Sequence, residues 1–126
     1  MLLKANDIAH ITYSHSDCKD VWKVYFSQME KYWDVGMHNI FLVNKSNIKI
    51  PSRYTKYEYD EKKSYTKRLL DCLESLSDYK YVFFDHEDMF LYDSPDYEEI
   101  NFYLQELFNN KYEYIKLIKT SNSSYK

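Results

Sequence analysis

The stretch YKYVFFDHEDMFLYD, residues 79–93, carries an apolar, aromatic and β-branched run, Tyr81, Val82, Phe83 and Phe84, of the kind that forms a strand buried on both faces. The run stops in acid: Asp85, Glu87 and Asp88 fall within four consecutive positions, with His86 between the first two, and Met89, Phe90 and Leu91 follow at once. A sheet core butted against carboxylates is where open α/β sheets place their ligands. Carboxylates this close repel one another, and a hard divalent cation such as Mg²⁺ or Mn²⁺, which takes oxygen donors and keeps positions for phosphate and water, would relieve them. The same acids equally suit a plainer role, capping the next turn or facing water.

Working outward, the helical spacing of Tyr65, Leu69, Cys72, Leu73 and Leu76 behind Ser64 predicts a helix over 64–77 that leads into the acidic strand. IAHITYSH at 8–15 reads as a first strand running into the helix-start residues Ser14, Ser16 and Asp17. Val21, Trp22, Tyr25, Met29, Tyr32 and Trp33 then mark one face of a helix over 17–33, with Gly36 placed for a left-handed C-cap. NIFLVN at 39–44 and YTKYEYD at 54–60 read as two further strands. Ser94, Pro95 and Asp96 supply a cap, a proline for the first helical position and a first-turn acid for a helix over 96–109, with Tyr97, Ile100, Tyr103, Leu104, Leu107 and Phe108 inward. YEYIKLIKT at 112–120 reads as a final edge strand, and 121–126 as a polar tail. The order β-α-β-β-α-β-α-β predicts one α/β domain over 1–120, a three-layer sandwich on a mostly parallel sheet.

The chain has 126 residues and a net charge of −3, with Lys and Glu interspersed, which argues against a nucleic-acid partner held by the overall field. Fifteen Tyr, seven Phe and two Trp are scattered along the chain and form no stacking platform. Cys18 and Cys72 make no CxxC or Cys/His pattern and read as buried free thiols. The N-terminus lacks the pattern of a signal peptide and no apolar run approaches about 18 residues, so a cytoplasmic protein without a membrane span is expected.

A single glycine in the chain excludes both the P-loop and the GxGxxG dinucleotide fingerprint, which need several positions without a side chain beside phosphate. Phosphate charge would have to be met by metal, or by Lys62, Lys63, Lys67 and Arg68, whose simplest role is a solvated helix face. His10, His15, His38 and His86 form no legible nucleophilic triad; only His86 falls inside the acidic stretch.

The first strand ending in ITYSH, the helix containing KRLLDCLESL and the run YKYVFFDHEDMFLYD together resemble the nucleotide-sugar-binding N-terminal half of GT-A glycosyltransferases. The resemblance implies a GT-A or Rossmann-like fold in which Asp85, Glu87 and Asp88 stand as a DxD-like motif holding Mn²⁺ or Mg²⁺ on the donor diphosphate. It further implies that Thr12, Tyr13 and Ser14 lie against base and ribose, with Asp60 a further residue of that pocket and Arg68 near the diphosphate. The motif departs from the family in being DxE, and the acceptor-binding half of such enzymes is not seen, so the resemblance implies a fragment missing a C-terminal half, a reduced family member, or a module that needs a partner chain. The implied function is a metal-dependent domain binding a nucleotide-sugar donor for transfer to an unknown acceptor. The alternatives are a non-catalytic interaction or regulatory module that keeps the fold, and a phosphotransfer domain, for which no phosphate-binding loop is visible.

Overall fold

The computed structural model describes residues 7–33 and 36–117, which fall into two compact units, 7–33 with 36–95 and, separately, 96–117. The larger unit is built on strands β1 (Ile8–Tyr13), β2 (His38–Val43), β3 (Tyr54–Glu58) and β4 (Tyr81–His86), with helices α1 (Lys19–Tyr32) and α2 (Tyr65–Glu74). The four strands form one all-parallel sheet in the order β3-β2-β1-β4.

Alternation along β1 and β2 divides the core between two faces. Ala9, Ile11, Ile40 and Leu42 pack with Cys72 and Leu76 on the α2 side, while Phe41, Val43 and Tyr54 pack with Trp22 of the α1 side. The placement of the helices on opposite faces follows from the right-handed crossover rule. From β1 the chain steps one way to β2 and β3, whereas from β3 it must return past β2 and β1 to reach β4, and reversing the direction reverses the face. The β2–β3 crossover, residues 44–53, has no helix; Ile48 and Ile50 pack against the α1-side cluster in its place.

The helix ends have identifiable causes. Ser64 Oγ accepts from Lys67 N at 3.2 Å and starts α2. A 3₁₀ turn, Ser16–Cys18, precedes α1, whose C-cap is Trp33 rather than the Gly36 position; Arg53 Nη2 donates to Trp33 O at 2.7 Å there, a cation on the last carbonyls.

β4, expected to be buried on both faces, is an edge strand, and its Val82 is exposed. The strands buried on both sides are β1 and β2, because only they have a neighbour on each flank.

The smaller unit holds α3 (Tyr97–Asn110). Asp96, not Ser94, is its cap, accepting from Glu99 N at 3.1 Å, so Pro95 precedes the cap instead of opening the helix. None of the expected inward residues of α3 is buried, and Phe108 is exposed. Lys111 closes the helix in the left-handed region at φ 54°. Residues 112–117 of the expected last strand have no strand structure; 118–120 and the tail 121–126 lie outside the described residues.

Candidate functional site

The acids of the 85–88 stretch go to different places. Asp85 pairs in register with Thr12 at the ends of β4 and β1, and its side chain turns into the α1 face. Its Oδ1 accepts from Thr12 Oγ1 at 2.8 Å and lies 3.0 Å from His10 Nε2, and its Oδ2 accepts from Tyr25 OH at 2.8 Å. The network continues to Asn39. Trp33 Nε1 donates to Asn39 Oδ1 at 3.3 Å, and Asn39 Nδ2 donates to Met37 O at 3.2 Å, which fixes the amide orientation. Asn39 Oδ1 therefore faces His10 Nδ1 at 2.8 Å as an acceptor, and that ring nitrogen carries a proton. Burial, with the Asp85 carboxylate beside it, pushes the Tyr25 phenol far above its ordinary value. Asp85 thus links β1, β4 and α1 from inside.

Glu87 and Asp88 follow on a tight turn in which Met89 N donates to His86 O at 3.1 Å. Asp88 is exposed. Glu87 is buried against the start of α1, where it accepts a hydrogen bond from the Cys18 thiol; this contact, with burial and the nearby Asp20 and Asp17, pushes the thiol up to about 11. Cys18 is half-buried, not the buried thiol expected, whereas Cys72 is fully enclosed.

Loops after the other strands complete the same edge of the sheet. Asn44, after β2, accepts from Ser16 N at 2.8 Å and donates to Glu61 Oε1 at 3.1 Å, so it ties together the segments following β1, β2 and β3. His15 Nδ1 accepts from Asp17 N at 3.0 Å, which leaves Nε2–H to donate to Glu61 Oε2 at 2.8 Å. These donations from His15 and Asn44 hold the Glu61 carboxyl below its ordinary range. An open pocket of ≈ 430 Å³ lies beside them, lined by Asn44, Glu58, Tyr59, Asp60, Glu61 and Lys62.

No protein-family model, curated protein or solved structure matches this chain. Its chemistry is therefore read from the side chains alone.

Of the residues singled out in the sequence, Thr12 and Ser14 are sealed inside; Ser14 Oγ accepts from Trp22 Nε1 at 2.8 Å and its carbonyl from Tyr59 OH at 2.9 Å. Tyr13 points to the other face and is half-buried beside Tyr65 and His86. Asp60 lines the pocket after β3, with Oδ1 accepting from Lys62 N at 2.9 Å. Arg68 is spent on the fold: it donates to Lys63 O at 2.9 Å, Glu61 O at 2.6 Å and Tyr13 OH at 2.9 Å, and it lies over the Tyr59 ring. Cys18, Asn44, Glu61 and Tyr65 were not singled out as site residues. Asn44 and Glu61 had a usable signal, since each follows a strand at the end where parallel sheets bind ligands.

Among the described residues, no group of three or more His, Cys, Asp or Glu is arranged to hold a metal ion. Asp85 does not fit a ligand role, because protein partners occupy both its oxygens. Of the other two acids, Glu87 is buried against Cys18 and Asp88 is exposed. Among the described residues, no helix is long and apolar enough to cross a membrane.

Proposed function

We propose that this chain is a nucleotide-sugar-binding domain of glycosyltransferase type, whose ligand lies across the ends of β1 and β4. The observation that carries the reading is the reversal of strand order between these two parallel neighbours, with α1 and α2 on opposite faces, the topology at which open α/β sheets form a ligand crevice at the C-terminal strand ends. The rim is acidic, with Asp17, Glu61, Glu87 and Asp88 around it, so a diphosphate would be repelled without an intervening cation. Glu87 and Asp88 would hold that cation, Mn²⁺ or Mg²⁺, which when bound supplies charge neutralisation for the departing diphosphate. Asp85 acts from beneath by fixing the strand end that carries the pair. Asp60 offers carboxylate oxygen to hydroxyl groups of ribose or sugar, and Tyr13 offers a ring face.

The test is calorimetric titration of the chain with a panel of nucleoside diphosphates and nucleotide-sugars, with and without Mn²⁺. Metal-dependent binding that is lost in Asp88→Asn is expected; binding indifferent to Mn²⁺ or to that substitution overturns the metal role. A second reading, an interaction or regulatory module, draws on the use of Asp85 and Arg68 inside the fold. Absence of binding by every metal–nucleotide combination would favour it.

A further inference from the structure

Tyr65 and His86 face each other across the outer side of this crevice, Tyr65 opening α2 and His86 closing β4. Their rings are parallel to within 5°, with centroids 6.5 Å apart. Rings in direct stacked contact lie closer, as Tyr13 and Tyr59 do at 5.2 Å. A flat ring inserted between two others makes a contact of about 3.5 Å on each side and needs walls roughly 7 Å apart. The centroid distance of 6.5 Å is the upper limit of the gap between the ring planes, so the rings must part by at least about half an ångström to admit a third, and Tyr65, at 44 % exposure, is the wall with room to move outward.

The other surroundings of the pair are built and braced. Tyr13 is tilted against both rings, 4.9 Å from Tyr65 and 5.5 Å from His86, and closes the back of the gap. It is itself held by stacking on Tyr59 and by the Arg68 Nη1 donation to its hydroxyl at 2.9 Å. Phe84 abuts His86 edge-on at 5.2 Å and braces the inner wall.

We infer that Tyr65 and His86 form a clamp for a planar ring, the base of the nucleotide. This rests on the nucleotide reading above for the identity of the ring, and on the ring geometry alone for the existence of the clamp. His86 adjoins Glu87 in the chain, so a base held there lies beside the carboxylates assigned to the diphosphate's cation. Because every base has a flat face, stacking tolerates different bases, and selectivity would fall to polar groups at the ring edges.

The experiment uses the full chain and four nucleosides, uridine, cytidine, adenosine and guanosine, without metal, followed by nuclear magnetic resonance of the base protons. Their diphosphates with Mn²⁺ and Mn²⁺–pyrophosphate are titrated calorimetrically alongside. Upfield shifts of base protons are expected in wild type, with affinity falling about 5- to 150-fold in Tyr65→Ala, the range spanned by loss of one base–aromatic stack. Tyr65→Phe should retain binding, and His86→Ala should weaken it as Tyr65→Ala does. Metal-dependent diphosphate binding that is undiminished in Tyr65→Ala overturns the clamp while leaving the nucleotide reading intact. Nucleoside binding lost in Tyr65→Ala, together with diphosphate binding indifferent to Mn²⁺ and to Asp88→Asn, supports the clamp and overturns the cation role. No binding of any nucleoside or diphosphate to wild type overturns both.

Discussion

Removing the Asp85 carboxylate strands donors on Thr12 and Tyr25 and the facing nitrogen of His10, all inside the α1 face. Each buried group left unpaired costs about 1–3 kcal/mol. Asp85→Ala should therefore lower unfolding free energy by about 3 kcal/mol, whereas Asp88→Asn, at an exposed turn, should change it by no more than about 0.5 kcal/mol. Urea denaturation of the two variants checks this, and equal stability would remove Asp85 from its structural role. Tyr54 offers the opposite case: its hydroxyl is buried beside that of Tyr25 without a well-formed hydrogen bond. Tyr54→Phe removes an unsatisfied group at little loss of volume, and a gain of about 1 kcal/mol is expected in the same assay. At this scale the sequence located the acidic stretch but not the directions of its side chains. Thr12 and Asp85 share a face only because their strands pair in register, and spacing within one strand cannot report on its neighbour.

At the level of elements, α2 is tied at its start by Lys63 Nζ donating to Asp71 Oδ2 at 2.7 Å and by Lys67 Nζ 3.3 Å from Asp71 Oδ1. The Lys63 contact, aided by Lys67, holds the Asp71 carboxyl below its ordinary range. A carboxyl lowered on folding stabilises above its unfolded value and loses that effect as pH falls through its folded one. Asp71→Asn should thus melt slightly lower than wild type at pH 7, with the gap closing as pH falls from about 4; thermal melts across this range check it, and a gap that widens in acid would contradict the assignment. The helices α1 and α2 and all four strands were legible because apolar period and Ser or Asp signals agreed there. The edge position of β4 was not, since Tyr81, Val82, Phe83 and Phe84 look the same in a central strand. The expected strand at 112–120 failed in its described part, 112–117, where Tyr112 and Tyr114 are exposed and charges interrupt the alternation.

For the whole molecule, the faces taken by the two helices follow from the strand order and the crossover hand. With β1 and β4 side by side and the chain reversing direction once, right-handed crossovers place α1 and α2 on opposite faces. The described residues divide into two compact units at 95–96. The edge strand has a further consequence during folding. Tyr81, Val82, Phe83 and Phe84 form an aggregation-prone window, high in β-propensity and uncharged, lying on a sheet edge. Lys80 immediately before it and Asp85 immediately after it act as gatekeepers, but Asp85 turns inward in the native state. Exposed Lys80 then guards the window almost alone at its N-terminal end. Lys80→Thr should leave native stability within about 0.5 kcal/mol yet raise light scattering on refolding from urea at micromolar concentration. Unchanged scattering would place the guard elsewhere. The strand that presents the acidic turn is thus also the segment by which unfolded copies of this protein would first find one another.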